Sequence, residues 1–174
     1  MTEIEVLGPA EIDAALPALA GILQGCVQAG ASVGFVLPFT VEDALGFWQG
    51  LLPAFRSGER RLLVARRDGR IAGTVQLVLA GMPNGGHRAE IAKLLVDPAQ
   101  RRHGVARALM LAAEGTARRC GRSLLVLDTV TGGIAESLYR DLGFVSVGRV
   151  PNYALSTMGV LETTHILYKL LPES

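Results

Sequence analysis

The segment richest in chemistry is a short loop between an apolar run and a helical pattern. It contains three arginines, a histidine and a glycine, namely Arg101, Arg102, His103, Gly104 and Arg107. The first turn of a helix has unpaired N–H groups and the positive end of the helix dipole, so it attracts phosphate. Gly104 and Ala106 lack the bulk that would keep a pyrophosphate from the backbone. The loop predicts an anion-binding turn, and an ordinary helix N-terminus with solvated arginines is the alternative.

Other phosphate and metal motifs are absent from the sequence. It has neither the G-x-x-x-x-G-K-[ST] of a P-loop nor the G-x-G-x-x-G of a dinucleotide site. His87, His103 and His165 are too far apart to suggest a shared metal site, so we predict no metal. Cys26 and Cys120 have no partner pattern, and we interpret them as small core residues in a reducing compartment.

Composition excludes several classes of function. The chain has 174 residues, of which 49% are hydrophobic and 19% charged, which predicts a single well-packed domain over residues 1–174. The 17 basic and 16 acidic residues form no run of one sign, so we expect neither a nucleic-acid nor a membrane partner. The N-terminus lacks a signal-peptide pattern, and no stretch reaches the roughly 20 apolar residues that span a bilayer. We therefore expect a cytoplasmic protein.

The elements that position the loop alternate between strand and helix periodicity. We predict strands at residues 2–8, 61–67, 70–80, 87–96, 123–128, 144–150 and 163–170, and helices at residues 9–29, 40–58, 102–120 and 132–142. Asp68-Gly69 between two apolar runs is a strong hairpin signal. The strand at 87–96, the helix at 102–120 and the strand at 123–128 form a βαβ crossover with parallel strands. The predicted class is α/β, with a mixed sheet of about seven strands.

The loop and the element order resemble the GNAT acetyltransferase family. Arg101-x-x-Gly104-x-Ala106 is similar to its [Q/R]-x-x-G-x-[G/A] signature, and it lies after the fourth strand and at the start of the third helix, as in that family. Ala135-x-x-x-Tyr139-x-x-x-Gly143-Phe144 resembles the second coenzyme motif, and the Val96-x-Pro98 strand exit is also typical. Many members have Asn where this chain has Gly132, which concerns one side-chain contact with the coenzyme. The resemblance implies the GNAT fold and an acetyl-CoA-dependent N-acetyltransferase.

Further segments resemble a subgroup of the family that inactivates an amino-acid toxin by N-acetylation. They are Gly30-Ala-Ser-Val-Gly-Phe35, Arg88-Ala-Glu-Ile-x-Lys-Leu94, Leu127-Asp-Thr129 and Val147-Gly-x-x-Pro-x-Tyr153. The subgroup implies a small-molecule amine as acceptor, a role in toxin or antibiotic resistance, and a monomer or homodimer. A protein lysine or N-terminal acetyltransferase is the second hypothesis, although nothing acidic or extended suggests a peptide groove. A non-catalytic acyl-CoA-binding module is the third.

The family resemblance also implies where the coenzyme binds. The fourth and fifth strands would separate, and the pantetheine arm would lie between them along the backbone of Leu94, Leu95 and Val96. The N–H of Leu95 would point at the thioester oxygen. The pyrophosphate would bind the residues of the loop and the first helical turn, which are Arg101, Arg102, His103, Gly104, Val105, Ala106 and Arg107.

Acetylation of an amine needs a proton acceptor, a donor to the carbonyl oxygen and a proton for the leaving thiolate. Tyr139 occupies the position of the family's tyrosine, and a phenol is protonated at neutral pH, so we predict that it is the general acid. The alternative is a tyrosine packed on the apolar face of its helix.

Two carboxylates are candidates for binding the acceptor amine or accepting its proton. Asp128 ends a buried strand at the edge where open α/β sheets bind ligands, and we expect it to hold the substrate ammonium; a cap on the turn at 129–133 is its alternative. Glu90 matches the position of a base glutamate in several family members, and strand alternation places it with Ala92, Leu94 and Val96. A salt bridge to Arg88 or Lys93 is its alternative. The base is left open between Glu90, Asp128 and water.

The acceptor pocket is expected from two segments. The loop between the first two helices would contribute Ser32, Val33 and Phe35, and the segment between the last two strands would contribute Tyr153. Phe35 and Trp48 also fit positions in the core, and for Trp48 we favour the core.

Overall fold

The structure, a computed structural model, describes residues 1–172 and contains a mixed sheet flanked by helices. The strands are β1 (Glu3–Leu7), β2 (Arg60–Arg67), β3 (Arg70–Leu79), β4 (Arg88–Val96), β5 (Leu124–Val130), β6 (Val145–Leu155) and β7 (Leu161–Leu170). The helices are α1 (Pro9–Gln28), α2 (Val41–Ser57), α3 (Val105–Arg119) and α4 (Ile134–Asp141). The strand order is β1-β2-β3-β4-β5-β7-β6, with β4 and β5 parallel and the other neighbours antiparallel. The predicted α/β class with a seven-stranded mixed sheet is confirmed.

Local chemistry explains where several elements begin and end. Thr40 caps α2, because its Oγ1 accepts the Asp43 N–H at 3.1 Å while the Asp43 carboxylate accepts the Thr40 N–H at 2.8 Å. Gly58 ends the helix with φ +81°, a conformation that suits glycine. Asp68 and Gly69 both have positive φ and form the predicted hairpin turn between β2 and β3.

The sheet separates two apolar cores. We call its two sides the α3 face and the α1–α2 face, after the helices that cover them. Alternate residues of β2 supply the two cores, with Leu63 on the α3 face and Leu62 on the α1–α2 face. Trp48 is fully buried in the α1–α2 core, which confirms that it is a packing residue.

Helix α1 is more apolar than we expected from the sequence. Its 20 residues, with a hydropathy of 1.3, are long and apolar enough to cross a membrane, which corrects the expectation that no segment is. A core helix passes the same test, and the buried residues of α1, such as Leu19 and Leu23, pack in the α1–α2 core. Cys26 lies among them as a free thiol, and burial raises the pKa of Cys26, which favours the unreactive protonated form.

Candidate active site

The parallel pair at the centre of the sheet separates after three residue pairs. Arg88, Ala89 and Glu90 of β4 lie opposite Leu124, Leu125 and Val126 of β5. Beyond these pairs β4 continues beside β3, and β5 continues beside β7. The two strands therefore diverge toward their carboxyl ends, where open α/β sheets bind ligands. We call this opening the β4–β5 cleft.

One extra residue interrupts β4 inside the cleft. Gln76 of β3 lies opposite Ala92, but Thr74, two residues away, lies opposite Leu95, so β4 has one residue more than β3 in this interval. Lys93 is in this interval and has φ +50°. A bulge of this kind shifts the alternation of side chains by one residue.

The bulge corrects the predicted surroundings of Glu90. Ala89 and Ile91 belong to the α3 core, so Glu90 faces the α1–α2 side. Leu94 and Val96, beyond the bulge, pack against the α3 core and do not share the face of Glu90. The carboxylate is also exposed rather than enclosed by apolar side chains.

Backbone directions in the cleft differ from the expectation for Leu95. The Asp97 N–H donates to the Ala72 carbonyl of β3 at 2.9 Å. Because N–H groups alternate between the two edges of a strand, the Leu95 N–H also points to β3. The N–H groups of Leu94 and Val96 point into the cleft. The expected orientation of the Leu95 N–H is therefore wrong, and Leu94 has the N–H that can reach a ligand there.

The arginine-rich loop opens directly into α3, which begins at Val105 rather than at 102. The first bond in the helix runs from the Ala108 N–H to the Gly104 carbonyl at 3.0 Å, so the N–H groups of Val105, Ala106 and Arg107 precede it. Within residues 1–172 no side chain caps this end, and no acidic residue lies in the first turn. These donors fit an anion such as a pyrophosphate.

Glycine at position 104 has a backbone reason in addition to the expected close approach of a pyrophosphate. No atom of the described chain lies within 4 Å of the position where a Cβ would be, so packing within the protein does not require glycine there. The φ of Gly104 is +74°, which an L-residue adopts only with strain. Around it Arg101, Arg102 and His103 are exposed, and Arg107 forms an exposed ion pair with Asp141 at 3.4 Å.

Tyr139 lies on α4 with its ring buried against Phe144, at a centroid distance of 5.8 Å. Burial, with a smaller contribution from the charge of Asp128, raises the pKa of Tyr139 to about 12. The hydroxyl has no hydrogen-bond partner within residues 1–172, and it is not among the fully enclosed unpaired polar atoms. A protonated phenol that stays accessible and near Asp128 can act as a proton donor. The ring also packs in the core, as expected for a tyrosine on the apolar face of its helix.

Asp128 is exposed at the end of β5 and lies on the α1–α2 face, because Leu125 and Leu127 belong to the α3 core. The Thr164 hydroxyl donates to its Oδ2 at 3.3 Å. Asp128 does not cap the turn that follows it. The Gly132 N–H of that turn donates instead to Glu136 Oε2 at 2.6 Å.

A buried polar network fixes α4 to the last two strands. Glu136 is 2% exposed, and its Oε1 accepts the Nδ1–H of His165 at 3.0 Å. The carboxylate therefore sets the tautomer of His165, and Nε2 is free to accept the Ser146 hydroxyl at 2.6 Å. The hydrogen bond from the Gly132 N–H, with those from His165 and Arg140, lowers the pKa of Glu136. This network could not be predicted from the sequence, because Ser146 and His165 are 19 residues apart and Glu136 and His165 are 29 residues apart.

The two predicted acceptor segments are in contact. The Leu37 N–H of the α1–α2 loop donates to the Thr157 carbonyl of the β6–β7 turn at 2.8 Å. Phe35 packs on Phe39 and Phe47, at centroid distances of 4.5 and 5.1 Å, so it contributes to the core as well as to the loop. Among the other predicted acceptor residues, Ser32 and Val33 are half-buried. Tyr153 is exposed and lies within β6, not in the connection between the last two strands as expected, because β6 extends to Leu155.

Two cations near these segments, Lys93 and Arg60, were not predicted as residues of the acceptor site. Lys93 has its Nζ 5.8 Å from the Phe35 ring and 5.5 Å from the Phe47 ring. Burial lowers the pKa of Lys93, and the charge of Asp128 acts in the opposite direction. Arg60 contributes a second positive charge near Lys93 and donates to Gln76 Oε1 at 2.7 Å. The available signal for Lys93 was a lysine within an apolar strand. Because of the bulge, alternation of side chains could not show on which face of the sheet this lysine lies.

The rest of the described chain contains an open concavity and no candidate metal site. An open concavity of about 640 Å³ lies between α1 and the β2–β3 hairpin, away from the β4–β5 cleft. No group of three or more His, Cys, Asp or Glu side chains in residues 1–172 could hold a metal ion.

The fold and cleft define an acyltransferase of the type that binds a coenzyme between two diverging strands. The profile of the Acetyltransferase (GNAT) family matches residues 35–144, more than half of the chain. The chain therefore belongs to the GNAT acetyltransferase family. An uncharacterized N-acetyltransferase encoded in the hisH-hisA intergenic region of Azospirillum brasilense is 40% identical over 104 residues, which are 59% of this chain and 60% of that protein.

Solved structures of the family share the whole fold. A GCN5-related N-acetyltransferase from Kribbella flavida is 26% identical, with 98% of each chain covered and a TM-score of 0.79. The yncA protein from Salmonella typhimurium, solved with its cofactor acetyl-CoA, is 19% identical, with 99% of this chain and 95% of that chain covered and a TM-score of 0.77. At this identity the second likeness concerns the fold alone.

Proposed function

We propose that the protein transfers the acetyl group of acetyl-CoA to the amine of a small molecule of amino-acid type. The observation that carries the proposal is the arrangement of groups around the β4–β5 cleft. Glu90 and Asp128 are exposed carboxylates on the α1–α2 face, against which the α1–α2 loop expected to bind the acceptor also packs. The Tyr139 phenol lies close enough to Asp128 for the charge of Asp128 to contribute to the raised pKa of Tyr139.

The residues present suit acetyl-CoA, which supplies an acetyl group activated as a thioester. The N–H groups of Leu94 and Val96 point into the cleft and would bind the pantetheine arm as a strand partner does. The uncapped first turn of α3 and the exposed Arg101 and Arg102 would hold the pyrophosphate. The Leu94 N–H is the backbone donor for charge that develops on the carbonyl oxygen.

The side chains divide the proton movements between the two sides of the cleft. Asp128, oriented by the Thr164 hydroxyl, would hold the acceptor ammonium. Glu90 or Asp128 would then accept a proton from that nitrogen, directly or through water. The phenol of Tyr139, whose pKa is about 12, holds its proton throughout the physiological range and would give it to the leaving sulfur.

Resemblance to the tabtoxin resistance protein, a GNAT enzyme that N-acetylates a β-lactam amino-acid toxin, supports an amino-acid acceptor. The similar segments include Arg88-Ala-Glu-Ile-x-Lys-Leu94 and Leu127-Asp-Thr129, which contain both carboxylates. A role in resistance to a toxin or antibiotic is the corresponding biological proposal. We propose that the protein acts in the cytoplasm, where thiols such as Cys26 and Cys120 stay reduced.

The test is release of free thiol from acetyl-CoA in the presence of amino acids, β-lactam amino acids, aminoglycosides and polyamines. We expect turnover with amino-acid amines. The Asp128→Asn variant should raise KM for the acceptor, and Glu90→Gln should lower kcat if Glu90 is the base. Glu3→Gln, an exposed carboxylate change on β1, is the control. Coenzyme binding by calorimetry without turnover of any amine would contradict the acceptor class, and absence of binding would contradict the proposal as a whole.

A further inference from the structure

The half-buried ammonium of Lys93 lies on the α1–α2 face and has no polar partner among residues 1–172. The chain has two lysines, and Lys169 Nζ donates to Glu114 Oε1 and to the Leu142 carbonyl, both at 2.6 Å. Lys93 makes no hydrogen bond and no ion pair with any residue of the described range 1–172. A half-buried charge without a partner is costly, so a ligand that supplies the opposite charge would bind well there.

The surroundings of Lys93 hold its ammonium in place. Phe35 and Phe47 attract it through their ring faces at 5.8 and 5.5 Å. A Cβ at Gly34 would lie only 3.6 Å from Nζ, so the α1–α2 loop passes directly over the charge. The ammonium is therefore held on the α1–α2 face, beside the loop that is expected to bind the acceptor.

The charges of this face fall into two groups. Lys93 and Arg60 are positive, whereas Asp128 and Glu90 are negative and lie near enough to influence the Lys93 ammonium. Neither carboxylate is within 4.0 Å of Lys93, since no such ion pair occurs among the described residues. An α-amino acid carries an ammonium and a carboxylate on one carbon, and so presents charges opposite to both groups at once.

We propose that Lys93 binds the carboxylate of the acceptor while Asp128 and Glu90 receive its amine. This inference rests on the proposed acetyl transfer and makes the acceptor an amino acid rather than a simple amine. An amine without an anion would bring another positive charge beside Lys93 and Arg60. Lys93 is then the residue that separates amino acids from polyamines and aminoglycosides.

The test compares each amino acid that the wild type acetylates with its methyl ester, which keeps the amine and loses the negative charge. We expect the wild type to prefer the free acid by about 10-fold or more in kcat/KM, the size of a charge-assisted hydrogen bond. Lys93→Met should remove this preference by raising KM for the acid, and Lys93→Arg should restore part of it. Arg88→Met removes one exposed positive charge from the same strand and serves as the matched control.

Calorimetry with the free amino acid and no coenzyme should show the same loss of affinity in Lys93→Met. A wild type that acetylates acid and ester equally well overturns the role of Lys93 and leaves the proposed acetyl transfer intact. A wild type that acetylates no amine overturns the proposed function and this inference together. Since the acid-to-ester ratio is measured on the wild type, a poorly folded variant does not remove the test.

Discussion

Replacing Tyr139 by phenylalanine tests whether the phenol is held as a buried neutral acid. The reference pKa is 10.0 and the folded value is about 12, so the two states differ by about two pKa units. At 1.36 kcal/mol per unit, this difference amounts to about 3 kcal/mol of folding free energy. Because the folded pKa is the higher one, this stabilisation is complete below pH 10 and is lost as the pH rises from 10 to 12. At pH 11 about half of this stabilisation, on the order of 1–2 kcal/mol, should be lost.

The assay is urea unfolding of the wild type and Tyr139→Phe at pH 9 and pH 11. The difference in stability between the two proteins should change by on the order of 1–2 kcal/mol in favour of the variant over this interval. Other groups titrate alike in both proteins, so they cancel in the comparison. Tyr168→Phe, on β7, is the matched control for loss of a hydroxyl. Equal differences at pH 9 and pH 11 would refute the reasoning that the Tyr139 ring lies in a dry environment.

The Tyr139→Phe variant also distinguishes a role of Tyr139 in acid catalysis from a role in packing alone. Phenylalanine keeps the contact with the Phe144 ring and removes only the proton donor. A positioned general acid contributes about 10²–10⁴-fold, so kcat should fall by at least about 100-fold while acetyl-CoA affinity stays within about 2-fold. Wild-type kcat in Tyr139→Phe would show that the leaving thiolate takes its proton from another source.

Two further changes test the coenzyme loop and the polar network. Gly104→Ala should cost about 1–2 kcal/mol of stability and raise KM for acetyl-CoA, because alanine is strained at φ +74°; Gly115→Ala inside α3 should instead stabilise by up to about 1 kcal/mol, and equal melting shifts for both would contradict the backbone argument. Glu136→Gln should lower the melting temperature at pH 7 and flatten its fall below about pH 5, since a carboxylate with a depressed pKa loses its stabilising effect as it is protonated. Unchanged acid sensitivity relative to Glu3→Gln would contradict that role.

Elements with local signals could be predicted from the sequence, and long-range arrangements could not. The helix predicted at residues 40–58 and the Asp68-Gly69 turn depend on neighbouring residues, and the structure confirms both, with the helix at Val41–Ser57. The bulge at Lys93 leaves no local signal, and strict alternation therefore misplaced the neighbours of Glu90. The Glu136–His165 contact joins residues 29 positions apart, which pairwise spacing does not reveal.

The bulge in β4 connects the two halves of the proposed site. A regular strand would keep one alternation throughout, and both the backbone at Leu94 and the side chain at Lys93 would then turn the other way relative to the start of β4. With one extra residue, the Leu94 N–H points into the cleft and the Lys93 ammonium lies beside Phe35 on the α1–α2 face. The same local insertion thus places a donor for the thioester oxygen and a charge for the acceptor about one residue apart in the chain. Coenzyme position and acceptor choice are therefore expected to respond together when β4 is altered at this point, even by changes that spare both carboxylates.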